Sequence, residues 1–163
     1  MNKKFIIAVY VDNKAGVLTR VSGMFTRRGF NIDTLTVGAT EHPEYSRITI
    51  YMEGDEYAKE QMINQLTKLA VVKKVEMLDD EPIKRELMLI KVSNESKNRG
   101  EIMTAVDVFR ASVIDYSSES MCIEVTGNPS KIDAFIKLMQ PFGILEMCRT
   151  GIVALERGVG TLL

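Results

Sequence analysis

Little in this sequence equips it for catalysis, for nucleic acid or for a membrane. The 163 residues include one histidine, His42, beside Pro43 and with no cysteine or second histidine near it. Metal and acid–base sites need convergent partners, so His42 is expected at the surface. The two cysteines, Cys122 and Cys148, lack metal-ligand spacing. They read as small core residues in a reduced compartment, which predicts a cytoplasmic location. No glycine-rich phosphate loop and no nucleophile elbow occurs. The formal net charge of −1, from 21 Lys and Arg against 22 Asp and Glu, gives no long-range pull toward nucleic acid or an anionic membrane. No helix-turn-helix or basic patch supports DNA contact. Aromatics at strand centres, which RNA binding on an open sheet needs, reduce to Tyr51. No apolar run approaches the roughly 18 residues of a membrane span. The N-terminal run Phe5 to Val11 is short, and Asp12-Asn13-Lys14 follows it without a small-residue cleavage site. It reads as a buried first strand, not a signal peptide.

What is present is regular and repeated. After that strand, a turn at Asp12–Gly16 leads to Val17, Leu18, Val21, Met24 and Phe25 at helical spacing. Arg27-Arg28-Gly29 is a C-terminal signature, cations followed by a glycine able to take the left-handed cap. A strand is predicted from about Phe30 to Gly38, then a turn at Glu41-His42-Pro43-Glu44. Ile48, Ile50 and Met52 alternate with Arg47, Thr49 and Tyr51, which marks a half-buried strand. Gly54-Asp55 caps a helix striped by Ala58, Met62, Ile63, Leu66 and Leu69. Val71 to Met77 closes a βαββαβ, or ferredoxin-like, unit. After the linker Asp79-Asp80-Glu81-Pro82 the same order returns. The strands are Leu87–Val92, Ser112–Tyr116, Met121–Val125 and Ile144–Cys148, the last with scope to continue through Ala154. The helices carry Ile102, Met103, Val106 and Phe109, and Ile132, Phe135, Ile136 and Met139, the second capped by Gly127-Asn128-Pro129. The expectation is an α+β protein of two tandem ferredoxin-like units, with domains at 1–79 and 80–163. Four-stranded sheets with helices on one face leave a bare face and bare edges. Burying these predicts a homodimer or higher oligomer.

The first turn is the informative place for chemistry. A strand feeding a helix N-terminus offers free N–H groups and a favourable dipole for a carboxylate. Gly16 lets a ligand approach the backbone. Asn13 can accept from an ammonium, and Asp12 could add negative charge for it. Val17, Leu18 and Ile32 could receive a branched aliphatic side chain. The competing reading is a plain helix-capping turn, since glycine and polar residues dominate turns. The corresponding loop of the second half, Ser93 to Gly100, is longer and arranged differently.

Asp12-Asn13-x-Ala15-Gly16-Val17-Leu18-x-Arg20-Val21, with Arg28-Gly29-Phe30-Asn31-Ile32 and Leu35-Thr36-Val37, resembles an ACT domain. More narrowly, it resembles that of the acetohydroxyacid (acetolactate) synthase small subunits. Lys84–Val92, Phe109-Arg110-Ala111, Ile114-Asp115 and Arg149–Gly158 resemble the C-terminal domain of that family. The resemblance implies a non-catalytic regulatory subunit that binds a branched-chain amino acid, typically valine, between two ACT domains. It implies activation and feedback inhibition of a catalytic large subunit, which carries the thiamine diphosphate, magnesium and FAD. No cofactor or metal is expected in this chain. By motif match, Asn13, Ala15, Gly16, Val17 and Leu18 form one wall of the effector site; Asn31 and Ile32 of the neighbouring domain form the other. The alternatives are a free-standing ACT sensor acting on another enzyme or a transcription factor, and an acylphosphatase-like enzyme. The latter would need a phosphate-binding loop.

Overall fold

A computed structural model describes all residues, 1–163. The chain forms two compact units, Met1–Ile83 with Ile152–Leu163, and Lys84–Gly151.

In the first unit the order is β1 (Lys3–Asp12), α1 (Val17–Arg28), β2 (Ile32–Ala39), β3 (Tyr45–Gly54), α2 (Glu56–Thr67) and β4 (Val72–Met77). The antiparallel sheet runs β2-β3-β1-β4, the ferredoxin-like order. Alternation along the strands sorts the side chains between two faces. Ile7, Val9, Val11, Ile48, Ile50 and Met52 join Val21, Met24, Phe25, Met62 and Leu66 of the helices in one core. The expected caps form. Gly29 ends α1 at φ 66°, with its N–H donating to the Phe25 carbonyl. The Asp55 side chain accepts from the Ala58 N–H and starts α2.

The other face of this sheet is partly covered by the chain's own end. Ile6, Ala8, Tyr10 and Leu78 pack with Ile152, Ala154 and Leu162, and Tyr51 lies half-buried against them. Tyr51 is therefore packed, not an open stacking platform. The Arg47 guanidinium donates to the Ala154 carbonyl at 2.7 Å, and the Glu156 carboxylate accepts from the Asp79 N–H at 2.7 Å. Residues Ile152–Leu163 thus belong with the first unit, whereas the 80–163 division put them with the second. Their three apolar side chains complete the burial of β1 on both faces.

The second unit repeats the topology: β5 (Ile83–Ser93), α3 (Arg99–Val108), β6 (Ser112–Tyr116), β7 (Ser120–Gly127), α4 (Pro129–Met139) and β8 (Ile144–Arg149), in sheet order β6-β7-β5-β8. Asn128 caps α4 through the Lys131 N–H, with Pro129 in the first turn. Two expectations change. The last strand does not run on through Ala154. It stops at Arg149, Gly151 takes φ 87°, and a separate strand β9 spans Val153–Leu155. The cysteines are not core residues: Cys122 is half-buried and Cys148 exposed. Met121, Ile123 and Val125 take the helix-facing positions of β7, so strand alternation turns Cys122 away.

Candidate functional site

The turn between β1 and α1 is held from behind. The Asn13 N–H donates to the Glu44 carbonyl at 2.9 Å and the Asp12 N–H to that of Val71 at 2.9 Å. The Asn13 amide nitrogen donates to the Pro43 carbonyl at 3.2 Å, which leaves its side-chain oxygen as an unused acceptor. The chain then reaches Gly16 at φ 83°, and nothing lies within 4 Å of where a Cβ would stand. An L side chain here would strain the backbone, so the glycine serves conformation first and open access second.

Beyond Gly16 the N-terminus of α1 stands unfilled. No side chain caps it, and its first turn holds no acidic residue. The other three helices differ. Side chains cap α2 and α4, and Glu101 lies in the first turn of α3. At α1 the free N–H groups and the positive end of the dipole face outward with no anion of the protein on them.

Asn13, Ala15, Gly16 and Leu18 are exposed. Val17 is 6% exposed and packs into the core, so it offers a ligand its backbone and not its side chain. Asp12 is committed as well: its carboxylate pairs with Lys73 at 3.3 Å and Lys14 at 3.7 Å. That removes it as the counter-charge for an ammonium. The sequence carried no sign of the Lys73 pairing, nor of the 43–44 backbone support, because Lys73 comes from β4 and residues 43–44 from the turn between β2 and β3.

Asn31 is exposed and Ile32 half-buried, at the far end of the same sheet. Ile32 pairs with Met52, which pairs with Phe5, while Asp12 pairs with Tyr45. The twelve residues of α1 span the interval, about 18 Å at 1.5 Å per residue. One copy therefore does not bring the two predicted walls together.

Catalytic groupings do not emerge elsewhere. His42 is exposed and lies edge-on to Tyr45. No cluster of three or more His, Cys, Asp or Glu side chains is placed to hold a metal ion. No helix is long and apolar enough to cross a membrane. In the second unit the loop matching the first turn is filled: Asn94, 3% exposed, donates to the Ser117 carbonyl at 2.6 Å and accepts from Arg99 at 2.8 Å.

The fold and this open turn define an ACT-type protein, and residues 7–74 match the family model described as the AHAS small subunit-like ACT domain. Residues 85–158 match that of the small subunit of acetolactate synthase. An acetolactate synthase small subunit of Mycolicibacterium smegmatis is 47% identical over 93% of this chain and 90% of its own. A protein of Archaeoglobus fulgidus, described as a "probable acetolactate synthase small subunit", is 51% identical over 95% of this chain and 98% of its own. The crystal structure of the small subunit from Thermotoga maritima superposes with a TM-score of 0.91, at 41% identity over 96% of this chain and 98% of that one. The chain belongs to the acetolactate synthase small subunit family.

Proposed function

We propose that this chain is the cytoplasmic regulatory subunit of an acetolactate synthase. It binds a branched-chain amino acid, valine foremost, where two copies meet, activates the catalytic subunit and makes it subject to feedback inhibition. The observation that carries the reading is the uncapped, acid-free N-terminus of α1 behind Gly16. The effector carboxylate takes the free N–H groups there, and its ammonium donates to the idle side-chain oxygen of Asn13. Leu18, 48% exposed, meets the aliphatic side chain. The positive end of the helix and the neutralised Asp12 favour the carboxylate-first orientation.

Symmetry supplies the second wall. Strand β2 is an edge of the sheet, hydrogen-bonded on one side only, to β3. If two copies pair antiparallel about the middle of β2, residue 32 of one lies opposite residue 39 of the other. Ala39 pairs with Ser46 at the Tyr45 end of the sheet, the end that carries the Asn13–Leu18 turn. The pairing thus carries Asn31 and Ile32 of one copy to the open turn of its mate. Effector binding favours one arrangement of that pair and passes the bias to the catalytic subunit, which in this reading holds the thiamine diphosphate, magnesium and FAD.

Titration calorimetry of the full chain with valine, leucine and isoleucine tests this. Saturable heat is expected with at least valine. Folded dimer giving no heat with any of the three would end the sensing claim. Asn13→Ala should weaken feedback inhibition by roughly one to two orders of magnitude, as loss of one charge-assisted contact does, while activation of the catalytic subunit persists.

A further inference from the structure

A second cavity lies in the first unit on the sheet face turned away from the helices, with a volume of about 650 Å³. The C-terminal segment closes it against the sheet, and Tyr10, Arg47, Glu41, Glu76 and Glu156 supply its polar lining. That size falls within the range of small-molecule pockets.

Its charges are sorted and incompletely used. Arg47 spends one N–H on the Ala154 carbonyl, and a guanidinium carries five. Glu41 accepts from the Tyr10 hydroxyl at 2.7 Å, and one oxygen of Glu156 accepts from the Asp79 N–H. Glu76 sits directly across from Ala8 on this face. It is half-buried, yet its carboxylate forms none of the protein's side-chain hydrogen bonds or ion pairs. A carboxylate in the cavity wall with no partner from the protein leaves a place for a cationic group of a ligand. Three carboxylates against one guanidinium favour a ligand of net positive charge. The guanidinium calls for one carboxylate on that ligand.

We infer that this cavity is a second effector pocket, separate from the α1 turn, for a diamino carboxylic acid. The ligand carboxylate pairs with Arg47, and its ammonium groups pair with Glu76 and the neighbouring glutamates.

Calorimetry on the full chain tests it, with L-ornithine, putrescine and valine as probes. Ornithine should bind saturably, and putrescine, which lacks the carboxylate, about tenfold more weakly or worse. Glu76→Gln removes no contact of the folded protein, so its melting temperature should hold while ornithine affinity drops about tenfold or more. Thr161→Trp, at an exposed position of the C-terminal segment on the cavity rim, should block entry by bulk. Ornithine binding should survive Gly16→Asp, which disables the turn. No saturable heat with ornithine would overturn the inference. So would wild-type affinity in both Glu76→Gln and Thr161→Trp, or loss of ornithine binding in Gly16→Asp. A chain that binds ornithine but no branched-chain amino acid would sink the turn assignment and leave this pocket standing.

Discussion

Single residues play opposite parts in the two units. Gly16 opens a helix end by having no side chain, and Glu86 secures a buried strand by accepting one partner. Glu86, 2% exposed, takes Arg149 through both carboxylate oxygens at 2.6 and 3.0 Å, and Arg149 reaches Asp133 at 2.9 Å. The Glu86 contacts, led by hydrogen bonding, hold the Arg149 pKa above its already high ordinary value. Arg149→Met would leave a buried carboxylate unpaired, at a cost of about 3 kcal/mol. Urea unfolding of the variant should show it. Tyr10 offers a pH reading. Burial first, then its hydrogen bond to Glu41, raises its pKa above the ordinary 10.0. A raised folded pKa means that the stabilisation is complete below about pH 10 and is lost as pH climbs through the folded value. In an ultraviolet titration of the tyrosines, Tyr10→Phe should delete the late phase.

Elements show where the sequence was readable. Helix ends carried local signals, and these became local hydrogen bonds: Asp55 to Ala58, Asn128 to Lys131, and Gly29 in the left-handed region. Asn128→Ala should therefore cost about 1 kcal/mol, measurable as a lowered midpoint in chemical denaturation. Strand alternation was equally legible, since Ile48, Ile50 and Met52 face the helices as their spacing requires. The misreadings lay where partners are remote in sequence. The neutralisation of Asp12 by Lys73 depends on β4 meeting the end of β1, and the burial of Val17 depends on the roll of α1 against the sheet. The turn itself was visible as residue types at fixed spacing. Which of those residues present side chains and which only backbone was not, because exposure is set by packing.

At the scale of the whole molecule, a sheet face expected to seek a partner is partly covered by the chain's own last residues. Ile152, Ala154 and Leu162 are each 6% exposed or less. Removing a buried aliphatic side chain costs about 2–5 kcal/mol, so truncation after Gly151 should loosen the first unit strongly. Hydrogen exchange should show lost protection along β1, with strand β7 of the second unit unchanged. Local repetition announced two units, but no periodicity could announce that the chain's end folds back onto the first. The central claim, that the open α1 turn senses a branched-chain amino acid on behalf of a synthase, is met most directly by one titration. The catalytic subunit is assayed with this chain and with its Gly16→Asp variant across a range of valine concentrations. Both chains should raise the basal rate, and valine should then suppress it with wild type while the variant's curve shifts to at least about tenfold higher valine. Identical inhibition curves for the two chains, or no effect of valine with either, would contradict the account.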